Sequence, residues 1–128
     1  MRAGSAALAL AACGTLVAAL AWPAHAHDRA YDTRVRISGY VDNASFLGRV
    51  GSERKACKRK RRVTVWRRNP GVMDAPVGTA KSNGKGIWAV AAPAAPPGRY
   101  YAIAKKRGLP KPGHRHVCGR ARSKLFQL

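Results

Sequence analysis

The sequence predicts an all-β protein, a single Greek-key sandwich of seven antiparallel strands that follows an N-terminal signal helix. Three observations lead to this class. Apolar and polar residues alternate in short runs, which is typical of half-buried strands. Two turns, at residues 83–86 and 97–98, are each followed by a strand with an aromatic residue, Trp88 in the first and Tyr100 in the second. After the signal segment, the chain shows no amphipathic helical period.

The strands follow from the alternation and from the turns between them. The first covers residues 34–41, with Val35, Ile37 and Val41 on its apolar side. The other predicted strands are residues 45–50, 63–67, 77–81, 87–91, 100–105 and 123–128.

Three further details of this arrangement can be predicted. In the strand at residues 63–67, Val63 and Val65 face the interior and Trp66 falls on the opposite face. The strand at residues 77–81 is expected to pair with the strand that follows the turn at residues 83–86. Residues 107–113 contain two prolines and are expected to form a loop.

The N-terminus has the features of an export signal. Residues 1–26 are predicted to be a signal peptide, because an apolar run follows Arg2 and ends in the small-x-small pattern Ala24-His25-Ala26. A polar leader at residues 27–33 and the β-domain at residues 34–128 would remain, secreted and with no stable membrane insertion after processing. Two alternatives are an uncleaved anchor helix and a lipid anchor on Cys13, which ends a sequence similar to a lipobox.

Two cysteines, Cys57 and Cys118, lie in the predicted mature chain. An even number of cysteines in an exported protein indicates a disulfide. Two free thiols or half of a metal site are the alternatives, and the absence of a Cys-x-x-Cys pair disfavours structural zinc.

The order of several motifs resembles a known family. The motifs are Phe46-x-Gly48-x-Val50, Cys57, Val63-x-Val65, Gly78-Thr79, Asn83-x-x-Gly86-x-Trp88, Gly98-x-Tyr100-Tyr101-Ala102 and Cys118. They resemble the carboxypeptidase-regulatory-like, transthyretin-like sandwich domains of small secreted actinobacterial proteins. The expected sandwich is therefore of transthyretin-like or immunoglobulin-like type. Related domains have a Gly-Ala pair before the Val-x-Val strand, where this chain has Arg61-Arg62. The resemblance implies a non-catalytic accessory or adhesive module and assigns no active residues.

The composition disfavours catalysis and favours contact with anions. The chain has five acidic residues, two of them in the leader, and no Gly-x-Ser-x-Gly elbow. Its formal net charge is +20, which favours partners such as nucleic acid, polysaccharide, phosphate-rich cell-wall polymer or acidic lipid. The alternative is that the charge reflects overall composition and serves no specific ligand.

The best binding candidate is a basic segment with a tryptophan beyond it. Lysine and arginine neutralise phosphates, and an exposed indole stacks on bases or sugars. No nucleic-acid module is recognisable, so binding would be independent of sequence. The alternative is a solvated charged loop in a structural domain without a specific ligand. The candidate residues are Arg54, Lys55, Lys58, Arg59, Lys60, Arg61, Arg62 and Trp66.

The histidines allow a third hypothesis, a periplasmic-type Cu(II) carrier. Cleavage at the predicted site would make His27 the N-terminus, where its amine and imidazole chelate copper, and His114 and His116 could add ligands. Two basic neighbours, Arg29 and Arg115, would repel the cation. Solvated histidines are therefore the favoured interpretation, and no metal or other cofactor is expected.

Overall fold

The computed structural model describes residues 29–110 and 115–128, and this part of the chain is nearly all β-structure. The predicted signal peptide, its cleavage site and Cys13 lie outside the described residues. Within them the one helical element is a 3-10 turn at Lys55–Cys57, and no helix is long and apolar enough to cross a membrane. The predicted all-β class is confirmed.

The described residues form eleven strands. They are β1 (Arg29–Tyr31), β2 (Arg34–Val41), β3 (Ser45–Gly51), β4 (Arg62–Arg67), β5 (Ala75–Lys81), β6 (Ile87–Ala91), β7 (Arg99–Ala104), β8 (Arg107–Leu109), β9 (His116–Cys118), β10 (Ala121–Arg122) and β11 (Phe126–Gln127).

These strands are arranged in three sheets. The first has the order β2-β3-β6, and the second has the order β10-β7-β4-β5, with β11 also paired to β7. Both are antiparallel. A small third sheet, β1-β9-β8, contains the parallel pair β1–β9.

One apolar core joins the first two sheets. Phe46 and Trp88 enter it from the first sheet, and Tyr100 enters it from the second. The rings of Phe46 and Tyr100 lie 4.7 Å apart between centroids, within the range of favourable aromatic pairs. Trp88 is 1% exposed and Tyr100 is fully buried, so the aromatic residues that follow the two predicted turns both lie in the core.

Gly48 provides the space in which Trp88 packs. The two residues lie opposite each other on β3 and β6, and a Cβ atom at position 48 would lie 2.1 Å from the indole ring and from the carbonyl oxygen of Arg36. The chain therefore needs glycine here because the indole covers the backbone of its neighbour.

A methyl group at position 48 should consequently disrupt this packing. We expect Gly48→Ala to lower the free energy of unfolding by about 3 kcal/mol, the upper part of the usual range for overpacking. Gly39→Ala is the matched control, because a Cβ atom at position 39 would have no neighbour within 4 Å, and it should cost less than about 1 kcal/mol. Urea unfolding of both variants measures the difference. Equal midpoints would show that the indole moves aside without cost.

A bulge in β2 changes which residues at the end of this strand face the core. The β2–β3 register shifts between Ile37 and Gly39, which reverses the facing of the residues that follow. Val41 is therefore 37% exposed instead of lying beside Val35. Tyr40 takes the inner position, where its ring packs on Phe46 and its hydroxyl donates to the carbonyl of Ala92 at 2.6 Å.

The predicted hairpin between residues 77–81 and 87–91 is wrong. β5 pairs with β4 and β6 pairs with β3, so the turn carries the chain from one sheet to the other. Both sheets hold this turn. Ser82 exchanges backbone hydrogen bonds with Lys60 and Arg61 on one side, and the carbonyl of Gly86 accepts from the N–H of Val50 on the other. Gly86 has φ +82°, a conformation that favours glycine.

Near both ends of the described residues, the strands differ from those that the pattern predicts. β1 places part of the predicted leader in the third sheet, and Tyr31 is 5% exposed. The predicted loop at residues 107–113 begins with β8. The predicted last strand is divided, because Ser123 bonds to both backbone polar groups of Ala102 and separates β10 from β11.

Candidate functional site

The disulfide between Cys57 and Cys118 is present, as predicted. The Cα atoms are 5.4 Å apart, and both residues are fully buried against Tyr31. The bond connects the 3-10 turn of the basic segment to β9 in the third sheet. One end of the basic segment is thereby held against the body of the protein.

Arg61 holds the other end of the segment from the inside. The residue is 0% exposed, and its guanidinium donates four hydrogen bonds of 2.8–2.9 Å. The acceptors are the hydroxyl of Thr33 and the carbonyls of Cys57, Lys105 and Gly119. Three distant parts of the chain and the segment's own turn at Cys57 thus converge on one side chain.

Arg61 is therefore not available to a ligand, and its place in the predicted binding set is corrected. Burial, and then the charge of Arg107, lower the pKa of the guanidinium. Its hydrogen-bond acceptors are neutral, so it is stabilised by a cage of oxygen dipoles instead of a carboxylate. Sequence pattern could not separate it from its six basic neighbours.

The other predicted residues divide between two sides of the protein. The guanidinium of Arg54 donates to the hydroxyl of Tyr31 at 3.3 Å and lies 5.1 Å from the ring centroid, on the side of the third sheet. Lys55 is exposed in the 3-10 turn and Lys58 is half-buried after it. Arg59, Lys60 and Arg62 are exposed beyond the turn.

Three of the strands place a row of cations across the second sheet. Arg62 on β4 lies directly opposite Lys81 on β5, and its carbonyl accepts from the N–H of Lys105, just beyond β7. All three side chains are exposed. Adjacent strands are about 4.8 Å apart, so the row presents three charges at strand spacing on one face.

Three more cations surround this row. The carbonyl of Arg59 accepts from the guanidinium of Arg107 at 2.7 Å, and the N–H of Lys60 donates to Ser82, next to Lys81. We call these six residues the basic end: Arg59, Lys60, Arg62, Lys81, Lys105 and Arg107. The chain has no acidic residue in segments 54–62, 81–86 or 104–107.

The same face of the second sheet carries aromatic residues further along. Beyond the cations, the hydroxyls of Thr64 and Thr79 are 2.9 Å apart, and Trp66 then lies opposite Tyr101. Trp66 is half-buried on the face opposite the buried Val65, as predicted. The basic end and the indole therefore belong to one surface.

Tyr101 is covered by two charged groups of opposite sign. The guanidinium of Arg122 stacks 4.0 Å from the ring centroid, and the hydroxyl donates to the carboxylate of Asp74 at 2.5 Å. This hydrogen bond is the main cause that lowers the pKa of Asp74. Burial, followed by the same hydrogen bond, raises the pKa of Tyr101. The carboxylate is thus engaged and lies at the aromatic end of the surface.

The histidines show no assembled metal site in the described chain. His27 and His114 lie outside the described residues, so the copper hypothesis stays a prediction. His116 is half-buried on β9, with its ring 5.6 Å from that of Tyr31. Among residues 29–110 and 115–128, no three histidine, cysteine or acidic side chains are grouped to hold a metal ion.

Sequence comparison adds no family to this geometry: no protein-family model and no curated protein matches the chain. The site is therefore defined by its own residues. Sequence reasoning found Arg59, Lys60 and Arg62 but missed Lys81, Lys105 and Arg107. The pairing of β4 with β5 and β7 is the missing information, and alternation within a single strand does not contain it.

Proposed function

We propose that this protein is an exported, non-catalytic module that binds anionic polymers through the basic end, without sequence specificity. Its fold in this proposal is a seven-stranded Greek-key sandwich of transthyretin-like or immunoglobulin-like type. The two larger sheets form it, with β10 and β11 counted as one interrupted strand, and the third sheet extends it. The disulfide is compatible with an oxidising, extracytoplasmic compartment.

The row of Lys81, Arg62 and Lys105 is the observation that carries the proposal. Like charges directly opposite each other destabilise a sheet. Here two such cross-strand pairs share one residue, and the loop beside them adds further cations. A phosphate- or sulfate-bearing polymer would neutralise the row and release counterions.

The form of the surface favours a polymer over a small substrate. The cations stand at strand spacing on an open sheet face, and Trp66 adds an apolar ring on the same face. Regular charges and a stacking ring suit a repeating anionic chain. The buried guanidinium of Arg61 and the disulfide hold the segment in place, which lowers the entropic cost of binding.

Salt dependence tests the proposal. The variant carries glutamine at five residues of the basic end: Arg59, Lys60, Arg62, Lys81 and Lys105. We expect it to reduce the slope of log Kd against log salt for duplex DNA by about 4.5, since each phosphate contact contributes about 0.9. Fluorescence anisotropy with labelled duplex DNA measures the slope, and heparin competition extends the result to sulfated chains.

A charge-matched variant is the control. It carries glutamine at five exposed basic residues of other surfaces: Arg34, Arg36, Arg49, Arg120 and Lys124. The variant loses the same number of charges and should change the slope by less than about 1. If the two variants change the slope equally, diffuse charge is responsible. If the parent protein does not bind either polymer, the alternative of a purely structural domain is favoured.

A further inference from the structure

A second charged surface lies along β2, the edge strand of the first sheet. This strand pairs with β3 on one side and with no described strand on the other. A groove of about 730 Å³ is lined by β2, by Arg49 and Gly51 of β3, and by residues of β10, β11 and the segment between them in the second sheet. The backbone groups on that edge are open to an additional strand.

The groove combines an apolar floor with a basic rim. Ile37, Leu125 and Phe126 contribute to the floor, and Leu125 is 40% exposed. Five of the twelve described lining residues are arginine or lysine, and none of the twelve is acidic. An occupant that matches both parts must carry apolar groups on one side and negative charge on the other.

Two rim residues form an unusual pair. Arg36 on β2 and Arg49 on β3 lie directly opposite each other, and both are exposed. Such a like-charge pair costs stability unless anions lie between the guanidinium groups. The pair faces outward, whereas Val35 and Ile37 on the same strand face the interior. A strand added at the free edge would therefore favour acidic side chains on its outward face and apolar side chains on its inward face.

We propose that β2 is a docking site for an extended acidic segment of a partner protein, which adds as a strand to the free edge. Strand addition satisfies the open backbone groups, and the alternation of the pleat supplies specificity. Acidic side chains of the segment would contact Arg36 and Arg49, and its alternate apolar side chains would contact Leu125 and Phe126.

Two features of the edge limit what can dock. The cations on the rim repel the edge of a second copy of this basic chain, so self-pairing is disfavoured. The bulge after Ile37 ends the regular ladder, so the docked strand would pair mainly along Arg34–Ile37. This proposal does not depend on polymer binding at the basic end, because none of the six basic-end residues lines the groove.

A labelled peptide of about eight alternating glutamate and valine residues is the probe. We expect it to bind the parent protein at 150 mM salt and to protect backbone amides of β2 from hydrogen exchange. Arg36→Glu with Arg49→Glu should weaken binding at least tenfold. Arg62→Glu with Lys81→Glu reverses a cross-strand pair of the basic end and changes the net charge equally. This variant should weaken peptide binding no more than about twofold, because exposed charges are screened over about 8 Å.

Two control peptides separate strand addition from simple charge attraction. A peptide with the same composition but separate glutamate and valine blocks keeps the charge and loses the alternation. A peptide N-methylated at alternate residues keeps the side chains and loses the donors that a ladder requires. Both should bind at least tenfold more weakly than the probe.

Several results would overturn the proposal. They are no binding of the probe, equal binding of the block peptide, unchanged exchange of the β2 amides, or equal losses in the two charge-reversed variants. If the Arg36 and Arg49 variant does not fold, the peptide controls and amide exchange on the parent protein decide the question. If the parent protein binds the peptide but does not bind DNA, only the proposed function is contradicted, and the docking site on β2 stands.

Discussion

Cys57→Ala with Cys118→Ala should lower the free energy of unfolding by about 4 kcal/mol. The bond closes a loop between residues separated by 61 positions, and the chain-entropy model gives a stabilisation of this size for such a loop. This is a large share of the stability expected for a small domain. Urea unfolding of the parent and the double variant without reductant measures the difference.

The loss should be concentrated near the third sheet. Cys118 lies at the end of β9, which pairs with β1 and β8. Hydrogen exchange should therefore accelerate most in β1 and β9, whereas the β3–β6 ladder retains more protection. Equal unfolding midpoints for the two proteins, or two alkylatable thiols in the native parent, would contradict the prediction.

Arg61→Met should lower the free energy of unfolding by about 3 kcal/mol. Thr33 and three backbone carbonyls would lose their donor inside the protein, which outweighs the relief of no longer burying a charge. Arg61→Lys should restore little of this stability, because an ammonium group is a compact donor that cannot reproduce the planar fork of guanidinium.

Arg59→Met is the matched control for the buried arginine. Arg59 lies two positions earlier in the same segment, and its side chain is exposed, so the substitution should change stability by less than about 0.5 kcal/mol. Thermal and urea unfolding of the three variants test the contrast. A protein with Arg61→Met that is as stable as the Arg59→Met variant would show that the four hydrogen bonds contribute no net stability.

The buried arginine also changes how the basic segment is interpreted. Seven of nine residues in segment 54–62 are basic, which by itself predicts a solvated loop. One of them, Arg61, fixes the position of the segment, because its hydrogen bonds connect the segment to Thr33, Lys105 and Gly119. The exposed cations beside it are consequently held in place by the interior of the protein.

Local pattern in the sequence determined most strands of the two larger sheets and the facing of most of their residues, but it did not indicate β1, β8 or β9. Val63 and Val65 are buried and Trp66 lies on the opposite face, because side chains alternate along any strand. The two cysteines outside the predicted signal peptide, Cys57 and Cys118, likewise led to the correct disulfide, because two cysteines allow only one pair. These features depend on neighbouring residues or on composition, and a single sequence contains both.

Tertiary structure alone decided which strands meet and which cation is buried. The turn after β5 changes sheets, and the bulge in β2 exposes Val41, because hydrogen bonds to distant strands select these conformations. Arg61 is buried because acceptors from three distant segments surround it, together with the nearby carbonyl of Cys57. Lys81, Arg62 and Lys105 form a row because β4 pairs with the chain on both of its sides. Such contacts join residues far apart in the chain, so the alternation within any one segment does not determine them.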